Sequence, residues 1–141
     1  MQNFKLDKDI HLFCVKAESF PMGIIAAQKK LAAFPKGDGK RNHFGVSYLY
    51  DGEILYMAAA ELTHGEKIPA GCDSYTLRKG NYISIYIADF AKKAEQIDRA
   101  FKTLLDDPRI DELGCCAECY LPEGADHKTA KDIRCMVRLA D

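Results

Sequence analysis

The stretch HFGVSYLYDGEILYMAAAEL, residues 43–62, decides the fold. It contains two apolar, β-favouring runs, 43–50 and 54–62, on either side of Asp51–Gly52. This dipeptide tolerates the positive φ angles of a tight hairpin turn. The stretch therefore predicts two antiparallel strands joined directly by a turn.

A strand and a helix are predicted before this hairpin. Residues 10–16, IHLFCVK, form a short apolar run that is typical of a strand. Pro21 fits the first turn of a helix and Pro35 would stop it, so we expect a helix over 21–34. The apolar positions at helical spacing within it are Ile24, Ala27, Leu31 and Phe34. The first unit, about residues 10–63, therefore has the order β-α-β-β.

The same order recurs after the connector EKIPAG, residues 66–71. The run 75–90, YTLRKGNYISIYIADF, predicts two strands. Asp89 is a candidate cap for a following helix that ends before Pro108. The apolar stripe of that helix consists of Phe90, Ala94, Ile97, Phe101 and Leu104.

Two apolar runs near the end of the chain, 115–121 (CCAECYL) and 133–140 (IRCMVRLA), predict the last pair of strands. The second unit, about residues 72–140, is thus β-α-β-β preceded by one extra strand. Residues 1–141 are expected to form a single α+β domain with both helices on one side of a largely antiparallel sheet. The two units would join around a central cleft, a usual place for a small-molecule pocket.

Composition limits the classes of partner. Lysine plus arginine number 20 against 21 aspartate plus glutamate, and the net charge of -1 offers no bulk attraction to nucleic acid or to an anionic membrane. The start of the chain shows no secretory signal and no window reaches the length of a spanning apolar helix, so a cytoplasmic protein is expected. In that compartment the six cysteines are expected to be free thiols.

Several stretches resemble the GyrI-like family, the effector-binding domains of bacterial transcription activators. They are SFPMGI (19–24), HFGVSY (43–48), YMAAAEL (56–62), IPAGCDSYTLRKGNY (68–82) and AECYLP (117–122). The resemblance rests on their order and spacing and covers most of the chain from residue 10 onward. It implies two β-α-β-β units related by a pseudo-twofold axis, with a ligand cleft between them.

The resemblance also implies a function, namely binding of lipophilic, often cationic small molecules, by the sensor half of a regulator or by a stand-alone protein. Regulators of this kind place a helix-turn-helix before the sensor, whereas about nine residues precede the first predicted strand here. The expectation is therefore a stand-alone sensing or sequestering module with an amphipathic or cationic ligand, no cofactor, and no direct contact with nucleic acid or membrane. Whether the protein forms a homodimer is left open. Some stand-alone relatives hydrolyse reactive cyclopropane-bearing toxins, which keeps a hydrolase as the alternative.

Glu118 is the sharpest candidate for a binding residue, because a carboxylate is out of place in the apolar strand CCAECYL. Side chains alternate along a strand, so Cys116, Glu118 and Tyr120 share one face. In the family, the glutamate of the corresponding E-x-Y pattern faces the cleft, and the pattern matches Glu118 and Tyr120. A bound cation would offset the cost of a carboxylate in an apolar cleft. The alternative is that Glu118 points outward to solvent.

The hairpin supplies three further candidates. Glu61 is a second carboxylate in an apolar run, although at a strand end it can also be a solvated residue. Met57, on the same face as Glu61, could form an adaptable apolar wall or fill the core. The ring of Tyr48 could stack on a flat ligand or face a cation, or pack as an ordinary half-buried tyrosine.

A zinc site and a catalytic thiol are disfavoured. Cys115 and Cys119 lie four residues apart, or about 13 Å along a strand, too far for two thiolates on one zinc. No histidine is placed near a cysteine by the sequence, His127 included. In the hydrolase alternative, Glu118 would act as the general base and Tyr120 would help to orient the substrate. A third possibility is a docking domain of a larger complex, with the cleft filled by side chains.

Overall fold

The computed structural model describes residues 1–34, 41–63 and 65–141. These residues form eight strands, two α-helices and one 3₁₀ turn, Phe90–Lys92. The strands are β1 (Gln2–Leu6), β2 (Ile10–Lys16), β3 (His43–Tyr50), β4 (Glu53–Glu61), β5 (Asp73–Leu77), β6 (Gly80–Ile87), β7 (Cys116–Leu121) and β8 (Asp132–Arg138), and the helices are α1 (Ile24–Ala32) and α2 (Ala94–Leu105). Neither helix reaches the length and hydrophobicity that crossing a bilayer requires.

All strands belong to one antiparallel sheet with the order β1-β6-β8-β7-β3-β4-β2-β5. Strand β5 lies at one edge and β6 lies next to the other edge, yet only Arg78 and Lys79 connect them. A link this short forces the sheet to curl until its edges approach each other. The Lys79 N–H accordingly donates a 2.8 Å hydrogen bond to Asp9, which precedes β2. The predicted α+β class is confirmed as a curled antiparallel sheet with two helices.

The strand order has an internal symmetry. It is unchanged when it is read from the opposite edge and each strand is replaced by its counterpart in the other unit. Strands β3 and β7 meet at the centre, and β1 and β5 occupy the edges. Each edge strand pairs with the other unit, because β1 bonds to β6 and β5 bonds to β2. The extra strand predicted before the second unit is β5, and β1 is its counterpart, which the sequence analysis did not predict.

The two faces of the sheet have different roles. One face, here called the inner face, lies inside the curl and carries a closed core that includes Leu12, Phe44, Val46, Met57 and Met136. The other, the helix-side face, carries both helices. Helix α1 packs on it over β2 and β4, and α2 packs over β6 and β8. Both helices therefore lie on one side of the sheet, as predicted.

The hairpin turn is confirmed, since Asp51 and Gly52 have φ values of 52° and 79° between the paired strands β3 and β4. The predicted start of α1 at Pro21 is wrong by three residues. The Gly23 N–H donates to the Ser19 carbonyl at 3.0 Å, so a separate turn precedes the helix. The predicted stop at Pro35 lies outside the described residues.

The predicted cap of α2 is also wrong. Asp89 has a φ of 52° and makes no capping hydrogen bond with its side chain. Its N–H instead donates to Asp132 at 3.0 Å, and the 3₁₀ turn separates it from the start of α2 at Ala94. Phe90 nevertheless packs in the same cluster as the predicted helical stripe, because the turn keeps it against the sheet.

Candidate functional site

The centre of the sheet, on the helix-side face, lies between the two helices. Helices α1 and α2 cover the outer strand pairs, which leaves β3 and β7 between them. These strands are in register with Gly45 opposite Glu118 and Ser47 opposite Cys116. Glu118, Cys116 and Gly45 all face the helix side, and we call the space above them, between the two helices, the central cleft. The structure thus assigns Glu118 to a face shared with Cys116 and Tyr120.

The Glu118 carboxylate is partly exposed in this cleft. No hydrogen bond or ion pair joins it to any side chain in the described parts of the chain. Burial raises the pKa of Glu118 from 4.5 to about 7. The carboxyl group is therefore close to half ionised at neutral pH.

Two buried tyrosines lie next to Glu118. Tyr56 and Tyr120 are adjacent across the cleft floor, and burial raises the pKa of both phenols, with a further contribution from the Glu118 charge. Gln28 on α1 donates a 2.8 Å hydrogen bond from Nε2 to the Tyr56 hydroxyl. Both phenols stay neutral at physiological pH, so Glu118 supplies the negative charge of the group.

Gly45 makes room for Tyr56. A Cβ atom at residue 45 would lie 2.5 Å from the Tyr56 hydroxyl oxygen and 3.0 Å from two ring carbons. The ring therefore lies across the backbone of β3, opposite Glu118. Any larger residue at this position would have to displace the ring.

Each tyrosine of the cleft has a phenylalanine beside it. The Phe20 ring lies 6.3 Å from that of Tyr56, and the Phe90 ring lies 5.9 Å from that of Tyr120, centroid to centroid. Phe20 precedes α1 and Phe90 precedes α2, so the two units contribute equivalent aromatic pairs. Tyr56 and Tyr120 thus connect the surroundings of Glu118 to one phenylalanine ring from each unit.

The cysteines near Glu118 are protonated. Cys135 lies opposite Glu118 on β8 and shares its face with Cys116. Burial raises the pKa of Cys116 to about 11 and that of Cys135 to about 12. All six cysteines are free. Cys115 and Cys119 belong to the inner face, and no group of three or more histidine, cysteine or acidic side chains in the described residues could hold a metal ion.

Three candidates from the sequence lie away from Glu118. Tyr48 and Met57 point to the inner face, where the Tyr48 ring stacks on Tyr75 at 5.8 Å and Met57 is 3 % exposed. Glu61 ends β4 and accepts a 3.3 Å hydrogen bond from Asn42. The structure therefore places Cys116, Glu118 and Tyr120 on one shared face. Tyr48, Met57 and Glu61 are not part of this group.

Sequence reasoning missed three residues of the cleft, namely Gln28, Gly45 and Tyr56. The usable signal was the alternation along β4, which places Tyr56 and Met57 on opposite faces. The pairing of β3 with β7 then decides which of the two faces contains Glu118.

No family model matches the chain, and no curated protein matches its sequence. Solved structures do match its fold. An integron cassette protein from the mobile metagenome of Vibrio cholerae aligns with a TM-score of 0.70 at 13% identity, over 99% of this chain and 95% of that one. SAV2435 bound to tetraphenylphosphonium aligns with a TM-score of 0.62 at 15% identity, over 99% and 93%. A hydrolase from Listeria innocua has a TM-score of 0.51 at 6% identity, over 99% and 91%.

These likenesses show the fold. The architecture agrees with the one that the GyrI-like resemblance implies, with two similar units on one curled sheet. One neighbour of this fold binds a lipophilic cation.

Proposed function

We propose that this chain is a GyrI-like module that binds lipophilic cations in the central cleft, with the Glu118 carboxylate as the counter-charge. The observation that carries the proposal is a carboxylate that lies beside two tyrosines and has no ionic partner within residues 1–34, 41–63 and 65–141. Removing such a group from water costs free energy that a nearby positive charge offsets. A lipophilic cation supplies that charge together with apolar surface for the walls.

The aromatic pairs support the same class of ligand. Rings within about 6 Å of a cation attract it with about 0.5–2 kcal/mol each. Tyr56 and Tyr120 are the rings beside Glu118, and Phe20 and Phe90 are their aromatic neighbours. The neighbour with bound tetraphenylphosphonium supports a cation of this type at the level of the fold.

Charge selectivity tests the proposal. Tetraphenylphosphonium and tetraphenylborate have nearly the same shape and opposite charge, so calorimetric titration with both separates electrostatics from apolar contact. We expect the parent protein to bind the cation more tightly. We expect Glu118→Gln to weaken cation binding by about 1–3 kcal/mol, the scale of a charged contact, and to leave folding intact.

Glu61→Gln is the matched control, because it removes one carboxylate from the other face of the sheet. It should leave both affinities unchanged. Equal binding of the two ions by the parent, or equal losses in the two variants, would contradict the proposed role of Glu118.

Hydrolysis is the second candidate, because a carboxyl group with a pKa near 7 beside Tyr120 suits general-base catalysis. Recovery of the ligand after incubation distinguishes the two functions. A binding module returns the ligand unchanged, whereas a hydrolase converts it at a rate that collapses in Glu118→Gln.

A further inference from the structure

A cavity of about 370 Å³ opens at one end of the sheet beside the central cleft. Its walls come from the β3–β4 hairpin, the last residue of α2 and the loop before β7. We call it the apolar groove and define it by Ser47, Leu49, Ile54, Leu105, Leu113 and Cys116. Small-molecule pockets typically begin at about 300 Å³, so the groove is large enough for part of a ligand.

The wall side chains of the groove are unusually exposed for leucine and isoleucine. Leu49 is 75 % exposed and Leu113 is 97 % exposed, and Ile54 and Leu105 are about half exposed. A concentration of exposed apolar side chains around one concavity marks a surface that binds something apolar.

The floor of the groove continues the floor of the central cleft. Ser47 and Cys116 form a register pair two residues along from Gly45 and Glu118 on the same face. At about 3.3 Å per residue, the floor of the groove begins about 7 Å from Glu118 and extends to about 13 Å at Leu49. The Cys116 thiol interacts with the Ser47 side chain and stays protonated, so this pair places no charge between the groove and Glu118.

Two acidic side chains lie at the groove. Asp111 and Glu112 are part of its lining, which among the described residues includes no lysine or arginine. Asp111 is paired with Arg138 at 3.5 Å and with Arg78 at 3.8 Å, and it accepts the Leu113 N–H at 3.0 Å, whereas Glu112 is exposed. The arginines offset the charge of Asp111, so Glu112 is the lining residue that adds negative charge to the rim.

We propose that the apolar groove holds the hydrocarbon chain of an amphiphilic cation whose charged head lies at Glu118. The inference rests on the proposed function and extends it to a ligand class, which is a single positive head with an apolar chain of about 7–13 Å. The exposed leucines close over the chain and lose their contact with water.

The test is a homologous series of n-alkyltrimethylammonium ions from butyl to decyl, titrated below their micellar concentrations. Each methylene that enters the groove should tighten binding about three- to fourfold, and the gain should stop once the groove is filled. Alkyl sulfates of the same lengths should bind more weakly.

The double variant Leu49→Ser/Leu113→Ser should reduce the gain per methylene and leave the affinity for the butyl homologue nearly unchanged. Its matched control is Ile25→Ser/Ile68→Ser, which changes two exposed isoleucines outside the groove lining. All four positions are exposed, so both variants should fold, and thermal unfolding checks this.

Two results would overturn the inference. In one, the affinity depends on chain length equally in the groove variant and in the parent. In the other, the affinity of the parent does not depend on chain length. Each of these results is compatible with Glu118-dependent binding of the butyl homologue, in which case the proposed function survives. Binding of that homologue that is unchanged in Glu118→Gln would contradict the proposed function itself.

Discussion

The two faces of the central strands carry similar side chains in different surroundings. On the inner face, Tyr48 stacks on Tyr75 and Met57 is enclosed by the core. On the helix-side face, Tyr56 and Tyr120 lie beside a carboxylate that forms no ion pair with the described part of the chain. Side chains alternate between the two faces along each strand, so neighbouring residues of one strand belong to the core and to the candidate site in turn. A closed face stabilises the fold, and a face with an unpaired charge is available for a ligand.

Two glutamates show the same difference in electrostatic terms. Glu66 receives two hydrogen bonds from Arg41, at 2.7 and 2.8 Å, and these bonds hold its pKa at about 2. Glu118 has no such partner, and burial raises its pKa to about 7. Glu66 is thus a structural carboxylate, whereas Glu118 is the carboxylate to which we assign the proposed ligand.

The largest expected effect concerns the inner face. Met57→Ala should lower the free energy of unfolding by about 2–5 kcal/mol, because it leaves a cavity in a closed core. The affinity for tetraphenylphosphonium of the folded variant should not change. Denaturant unfolding and calorimetry measure the two quantities, and a loss of affinity in the folded variant would show that Met57 lines the ligand site.

The next effect is a dependence of stability on pH. Glu118 binds its proton more tightly when folded, so the parent should lose stability as pH rises from about 4.5 to about 7 and level off above that range. The size should be about 1–3 kcal/mol relative to Glu118→Gln, in which this group no longer titrates. Urea unfolding of both proteins across this pH range measures the difference. Parallel stability curves would mean that Glu118 is not desolvated.

A smaller effect is expected at Tyr48. Tyr48→Leu removes a stacked ring and should cost about 0.5–1.5 kcal/mol of stability. The affinity for tetraphenylphosphonium should stay the same, because Tyr48 faces away from Glu118. A weaker affinity would instead place this ring in the site, as the sequence analysis expected.

Sequence reasoning was most successful where structure depends on local chemistry. The Asp51–Gly52 turn needs only positive φ angles, so the hairpin could be predicted. The start of α1 and the cap of α2 depend on turns held by tertiary contacts, as the bond from Asp89 to Asp132 shows. Strand β1 pairs with β6, which is about 80 residues away, and has little local signal beyond the alternation of Phe4 and Leu6.

The candidate site, too, could be predicted only where it depends on local sequence. Alternation grouped Cys116, Glu118 and Tyr120 from the sequence alone. It could not reveal which face of the hairpin adjoins them, because that depends on the pairing of β3 with β7. Tyr56 lies beside Glu118 only through that pairing, and Gln28 meets Tyr56 only through the packing of α1.

The most direct test of the account is the affinity for tetraphenylphosphonium as a function of pH, measured by calorimetry on the parent and on Glu118→Gln. If the ionised Glu118 carboxylate is the counter-charge, the parent's affinity should be constant above about pH 7 and should fall up to tenfold per unit below it, while the variant binds weakly at every pH. Parent and variant profiles that are both flat and equal would contradict the central claim.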